Sequence, residues 1–215
     1  MLLFESHIHT EVGSDDAFLS IHDLVSYVKR IQLDGFAVTE HYDIKKSNYA
    51  QYLLAYQAYR QLRKLDWNIN VVPGLEVKTD DGQEYLIYGV KLPFIILKLG
   101  WKVVQFYTHL FHGVIITAHP YRRYEEFSSY DGFEVYNAAS NEKANRRCKE
   151  EYLYRGKKET FMIGDDAHFS NELGRAIMLF PNKVGVQQIL KGIRHNMCEG
   201  VIINGRYYRT KDFSW

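Results

Sequence analysis

Apolar positions along the chain fall into short blocks whose period switches between that of a helix and that of a strand. Leu24, Val25, Val28 and Ile31 recur at helical spacing behind Ser20 and Asp23, a pairing that reads as a helix start, and Asp34-Gly35 stops the pattern. FAVTEH follows as an apolar run with a polar end and predicts a buried strand feeding a loop. Residues 48–66 predict a second helix with Tyr49, Tyr52, Tyr56 and Tyr59 three and four apart, a stripe expected to pack against a neighbour rather than to line a pocket. NINVVPGLEV, EYLIYGV, GVIITAHP, GFEVYN, TFMIGDDAH and RAIMLFP are the later strand candidates, and residues 105–112, 141–154 and 186–196 supply helices. Strand and helix alternate from end to end, which predicts parallel strands wrapped by helices.

The first strand, within FESHIHT, raises a chemical question. Side chains alternate along a strand, so His7 and His9 share one face and Ile8 takes the other. A pair of converging imidazoles is weak support for a metal by itself. The same feature returns, however, at the ends of FESHIH, AVTEH, VVPGLE, ITAH, FEVYN and FMIGDDAH, each an apolar body followed by groups that bind metals. In a barrel of parallel strands those ends meet on one face, where such folds build their active sites. Imidazole and carboxylate without thiolate suit zinc, manganese or iron and disfavour a closed zinc-cysteine site. The donors exceed what one ion needs, so a cluster of two or three divalent ions is expected, with Glu76 or Asp166 bridging through its two oxygens.

Composition narrows the setting. With 215 residues and 46% hydrophobic content, one domain over residues 1–215 can enclose a sizeable core and just close a small α/β barrel. A net charge of +1 gives no reason to expect nucleic acid or a membrane as partner, and a small anionic substrate needs only a local cluster. Cys148 and Cys198 form no disulfide framework, the start of the chain carries no signal-like segment, and LPFIILKLGW is interrupted by Pro93, Lys98 and Gly100. The expected setting is the cytoplasm.

Taken in order, HIH at 7–9, TEH at 39–41, PGLE at 73–76, AHP at 118–120 and DAH at 166–168 resemble the motifs of the polymerase and histidinol phosphatase family, the PHP domain, over almost the whole chain. The resemblance implies a distorted (β/α)7 TIM-like barrel, a single α/β domain with its metal centre at the strand C-termini. It further implies that His7, His9, Glu76 and Asp166 hold a first metal, that Glu76 is shared with a second that takes His119, and that Asp15, His41 and His168 hold a third, with Asp16 the competing choice for Asp15. Two departures stand out. Glu40 occupies the place where the family commonly has an aspartate, and Glu84 is offered where many relatives place a further histidine ligand.

The expected reaction is hydrolysis of a small-molecule phosphoester, histidinol phosphate and nucleotides being candidates. A water held by such ions has its pKa lowered toward neutrality and supplies hydroxide without a separate strong base. Arg122 and Arg123, directly after His119-Pro120-Tyr121, are placed to fork onto a phosphate, with Arg122 the preferred anchor, and Asn137 is expected to bind substrate or orient its loop. Glu134 reads as structural, and His22, His109 and His112 as ordinary helix histidines. Hydrolysis of an amide or lactone on the same barrel, or a noncatalytic module stabilised by its metals, are the competing readings.

Overall fold

The computed structural model describes residues 1–65, 68–123, 125–156, 159–181, 185–202 and 206–208. In chain order the elements are β1 (Leu2–Ile8), α1 (Ile21–Ile31), β2 (Gly35–Val38), β3 (His41–Asp43), α2 (Tyr49–Ala55), α3 (Gln57–Arg63), β4 (Asn70–Lys78), β5 (Glu84–Tyr88), α4 (Phe94–Lys98), α5 (Trp101–Leu110), β6 (Val114–Thr117), β7 (Gly132–Asn137), α6 (Glu142–Tyr154), β8 (Thr160–Gly164), β9 (Ala176–Phe180), α7 (Val186–Arg194), β10 (Glu199–Ile202) and β11 (Arg206–Tyr208).

The strands β1-β2-β4-β5-β6-β7-β8 are neighbours in that order, and the row turns back on itself where Ile8 bridges Ala167 in parallel and His9 N donates to Ala167 O at 2.9 Å. The result is the nearly closed, distorted seven-stranded barrel that the resemblance implies. β3 continues the line of β2 after a break at Thr39-Glu40 and pairs with the end of β4, His41 opposite Glu76. β9, β10 and β11 extend the sheet from the leading half of β1, where Leu2 faces Phe180 in an antiparallel pairing.

One expectation needs correcting. The strands are not all parallel, because β5 runs antiparallel to both β4 and β6. The connection from β4 to β5 is only Thr79–Gln83, far too short for the helical crossover that a parallel neighbour requires, and Thr79 with Gln83 closes it as a hairpin through a 2.9 Å backbone bond. The reversal decides which end of β5 reaches the mouth of the barrel.

Helix bounds follow their signals unevenly. Ser20 caps α1 by accepting from Asp23 N, but the helix stops at Gln32, which adopts a left-handed φ of 56° ahead of Gly35. The helix predicted over 48–66 is broken at Tyr56, whose side chain is fully buried and whose hydroxyl accepts from Leu92 N; Asp66 lies outside the described residues. Tyr52 and Tyr56 pack edge to face at 5.4 Å within a core cluster that includes Tyr42, Leu75 and Val77, so the tyrosine stripe is packing. The helix expected over 105–112 begins earlier, at Trp101, preceded by the short α4 in the apolar LPFIILKLGW stretch. Among the described residues no helix is long and apolar enough to cross a membrane.

Candidate metal centre

Every strand around the barrel except β5 delivers its C-terminal end to one mouth. At the end of β1, His7 and His9 point to the same side, with their Nε2 atoms 3.0 Å apart, while Ile8 sits in the apolar core. Asp166 Oδ1 stands 3.5 Å from His7 Nε2 and 3.3 Å from His9 Nε2. Glu76, near the end of β4, completes the group at 3.6 Å from each of the two imidazoles. All four side chains are buried.

Glu76 is also the junction between this group and two others. Its Oε1 lies 2.8 Å from His119 Nε2, and Glu84 Oε2 is 3.8 Å from the same nitrogen. Its Oε2 lies 2.6 Å from His41 Nδ1 yet has no aligned hydrogen-bond donor. On the far side, His41 Nε2 and His168 Nε2 are 3.3 Å apart and both rings stack on His9, at 4.1 and 4.3 Å between centroids. Asp16, rather than Asp15, faces this pair, its Oδ1 3.3 Å from His41 and 3.5 Å from His168; Asp15 is exposed and lines the cleft.

Three overlapping donor sets thus form: His7 with His9 and Glu76; Glu76 with Glu84 and His119; His9 with His41 and His168, the donor atoms of each lying within 4.8 Å of one another. They fit divalent cations. The donors are those that zinc, manganese or iron accept, and a buried carboxylate oxygen without a hydrogen-bond donor is costly unless a cation takes that place. The resemblance assigns His9 to one ion only, whereas its position lets it serve two sets. Glu84 reaches the mouth because β5 is reversed: it begins the strand, opposite Lys78.

The protonation pattern follows from the crowding. Burial alone disfavours charge on His7, but Glu134 and Asp166 outweigh it and lift the group to about 9. Burial is likewise overcome at His41 by Glu76 and Asp16, which raise it to about 11. His9, buried and facing the charge of His41, falls to about 3. Glu76 and Asp166 are buried too, yet the surrounding imidazoles hold both well below the usual carboxylate range. His119 (φ 30°) and Asp166 (φ 53°) also carry left-handed backbone, local strain of the kind that gathers at functional sites.

A layer behind the donors fixes their orientation. His7 Nδ1 donates to Glu134 Oε1 at 2.9 Å, and Glu134 Oε2 accepts His119 N at 2.7 Å and Asn137 Nδ2 at 2.9 Å. Glu134 was read as structural from the sequence; the one signal for a larger role was a carboxylate in the otherwise apolar body of GFEVYN. Gly164 makes room for it, since a Cβ there would collide with Glu134 Oε1 and stand 2.8 Å from His7 Cβ. Asn137 is buried, its amide divided between Glu134, Asp166 and its own loop, which places it as an orienting group rather than on the cleft wall. Within the Asp165-Asp166 pair labour is split: Asp165 accepts Gly174 N, Arg175 N and Ala176 N and anchors the entry to β9, whereas Asp166 turns to the histidines. His22 and His109 stand apart, the first with its side chain 89% exposed and the second bonded to Asp131.

The cleft over the donors has a volume of about 250 Å³ and includes Arg122, Arg123 and Lys78 in its wall. Arg122 Nη1 donates to Asp166 Oδ2 at 2.6 Å, and Arg123 Nη1 to Glu84 Oε1 at 3.1 Å. Lys78 Nζ lies 3.6 Å from the same Glu84 oxygen.

Comparison with known proteins agrees with this geometry. The family model of the PHP domain matches residues 5–215. Among solved structures, a two-domain protein from Bacteroides vulgatus ATCC 8482 containing a predicted PHP-like metal-dependent phosphoesterase superposes with a TM-score of 0.67 at 15% identity, over 97% of this chain; the chain spans 65% of that protein's length. PsfC from Pseudomonas syringae PB-5123 gives 0.64 at 13% identity over 94% of this chain and 92% of its own. An amidohydrolase from Chromobacterium violaceum gives 0.51 at 12% identity, over 88% of this chain and 96% of its own. No curated protein matches the sequence.

Proposed function

The chain belongs to the PHP domain family, and from that premise we propose that it hydrolyses phosphoesters of small molecules with two or three divalent metal ions, manganese, zinc or iron, at the barrel mouth. The observation that carries the reading is the convergence of three donor sets on one cleft whose wall also bears two arginines. His7, His9, Glu76 and Asp166 would hold the first ion. Glu76, Glu84 and His119 would hold the second, and His41 and His168, aided by His9 and by Asp16 in preference to Asp15, the third. Bound there, such ions supply Lewis-acid polarisation of a phosphoryl group and acidify water.

The remaining roles belong to the protein. Arg122 and Arg123 each engage one candidate ligand carboxylate, and a phosphate entering the cleft presents oxygens that suit the same guanidinium forks. Arg122, with its side chain 33% exposed against 52% for Arg123, is the better anchored of the two. Glu134 holds His7 with Nε2 toward the donors, and Asn137 supports Glu134. A cleft of about 250 Å³ suits a small ester or a chain end. The two thiols are buried and free, as suits the reducing cytoplasm in which we place the reaction.

Amide or lactone hydrolysis is the second reading, favoured by the structural likeness to an amidohydrolase. The paired guanidinium groups beside the donors argue for phosphate instead. A phosphate-release screen separates the two: wild type and His168→Ala are compared with manganese, zinc or iron over phosphomonoesters that include histidinol phosphate and nucleotides. Metal-dependent release lost in the variant is the expected result. Silence across the panel from a metal-loaded protein would reject the phosphomonoesterase form of the proposal and turn attention to diesters and amides.

A further inference from the structure

Ser14 Oγ sits where three groups meet. It donates to Glu40 Oε2 at 2.6 Å, and it lies 3.2 Å from His9 Nδ1 and 3.2 Å from the backbone N of His41. A hydroxyl has one proton and two lone pairs. The proton goes to Glu40, whose oxygens are ringed by donors: Thr10 N bonds both of them and Thr10 Oγ1 bonds Oε1. The amide of His41 can only donate, so it occupies one lone pair of Ser14. What remains for His9 is the other lone pair, which accepts an Nδ1–H and repels an unprotonated Nδ1.

The geometry points to Glu40 as a positioning residue: acting through Ser14, we propose, it fixes His9 in the Nδ1–H tautomer and so leaves the Nε2 lone pair facing the metal donors. This deepens the metal-dependent reading above and rests on it. The loop is shaped around the carboxylate, for a Cβ at Gly13 would fall 2.5 Å from Glu40 Cγ, and Glu40 and Ser14 are both buried. His7 is oriented differently, by direct contact with Glu134. The two histidines of HIH thus have separate supports, and losing one leaves the other in place.

Glu40→Gln and Ser14→Ala test the chain of bonds at its two links. An amide at position 40 presents N–H to a donor on one edge, and forces either Thr10 or Ser14 to turn its hydroxyl; alanine at 14 removes the relay. Ser14→Thr keeps the hydroxyl. Two readouts are needed: the imidazole 15N chemical shifts of His9 in metal-free protein, and Mn²⁺ affinity by calorimetry. We expect the Nδ1–H form of His9 in wild type and Ser14→Thr, a mixture in Ser14→Ala, and Mn²⁺ binding about 10–100-fold weaker in Ser14→Ala and Glu40→Gln, the range typical of lost support behind a ligand. Should Glu40→Gln fail to fold, Ser14→Ala carries the test alone. Wild-type affinity in Ser14→Ala, or an unchanged His9 tautomer there, overturns the proposal. A wild-type protein that binds no Mn²⁺, Zn²⁺ or Fe²⁺ defeats the metal-dependent reading instead, and the tautomer measurement still judges the relay.

Discussion

Replacing Glu134 with glutamine keeps the shape of the side chain while it changes one oxygen into an NH₂ group and removes a buried negative charge, which makes the consequence calculable. The carboxylate serves three buried donors, His7 Nδ1 on Oε1 and His119 N with Asn137 Nδ2 on Oε2. Glutamine has one carbonyl oxygen and must choose a side. Facing His7, it abandons two donors; facing His119 and Asn137, it abandons one. Each buried polar group left without a partner costs about 1–3 kcal/mol, so the second orientation wins and the loss is about 2 kcal/mol, a large part of a typical folding free energy. The abandoned group is then His7, whose Nδ1–H meets an amide N–H, and affinity for the first ion should fall about 10–100-fold. The pH dependence has a sign as well. His7 is lifted above its usual value to about 9 by Glu134 and Asp166 against the pull of burial. In metal-free protein that stabilisation is complete below the unfolded imidazole pKa of about 6.5 and drains away as pH rises through about 9. Glu134→Gln should flatten this decline. Urea unfolding of metal-free protein between pH 6 and 9, with Mn²⁺ calorimetry beside it, measures both effects. A variant within about 0.5 kcal/mol of wild type that binds Mn²⁺ equally well would refute the assignment of Glu134 as His7's support.

Three further outcomes are expected. Because burial is outweighed at His7 and His41 by their carboxylate neighbours, which raise them to about 9 and about 11, loading Mn²⁺ near neutral pH must expel protons; calorimetry in two buffers of different ionisation enthalpy should give different apparent heats, and identical heats would count against these ligands. Arg122→Ala should lower kcat/KM for a phosphoester about 10–100-fold, the worth of a charge-assisted hydrogen bond, and more than Arg123→Ala does, while Mn²⁺ affinity changes little; unaltered kinetics in the double variant would remove both from the substrate site. Glu5, fully buried with neither oxygen aligned to a donor, is pushed well up by burial and by the neighbouring charge of Asp165. Its protonation is retained in the fold above the unfolded carboxylate pKa, so wild-type stability falls there as pH rises, and Glu5→Gln should gain on wild type from pH 5 to 8 in urea unfolding; a constant difference across that range would show that Glu5 does not titrate this way.

Much of the site is visible in the sequence because strand ends are. An apolar run that stops in His, Glu or Asp predicts both a buried strand and the place where its polar groups emerge, and the structure brings His7, His9, His41, Glu76, His119, Asp166 and His168 of those strand ends to one mouth. Side-chain alternation even gave the convergence of His7 and His9. What the rule cannot reach is a group behind the strand ends. Glu134 lies mid-strand, and its value depends on His7 being at its inward side, a fact of sheet order rather than of spacing. Ser14 lies in the loop after β1 and Glu40 in the break between β2 and β3, joined by a bond across 26 residues, and the loop of Ser14 turns Asp16 rather than Asp15 toward His41. Adjacent aspartates in an irregular segment carry no periodic signal to choose between them. Tyr56 breaks a helix that its spacing supports because burial against Leu92 outweighs local propensity.

The reversed strand explains the distribution of charge across the cleft. A tight turn after β4 brings Glu84 opposite Lys78, and Arg123 reaches the same carboxylate, so two cations meet at the edge of the second donor set. Arg122 adds a third beside Asp166. Asp16 stands 3.3 Å from His41, while Asp15 and Asp43, the latter paired in register with Lys78, also line the cleft. Had β5 run parallel, Glu84 would have pointed to the opposite end of the barrel, and the Lys78–Glu84 pair could not have formed. On the proposed function the anionic phosphoryl oxygens are drawn toward Lys78, Arg122 and Arg123. One antiparallel strand therefore supplies a candidate metal ligand and gathers Lys78 and Arg123 beside it.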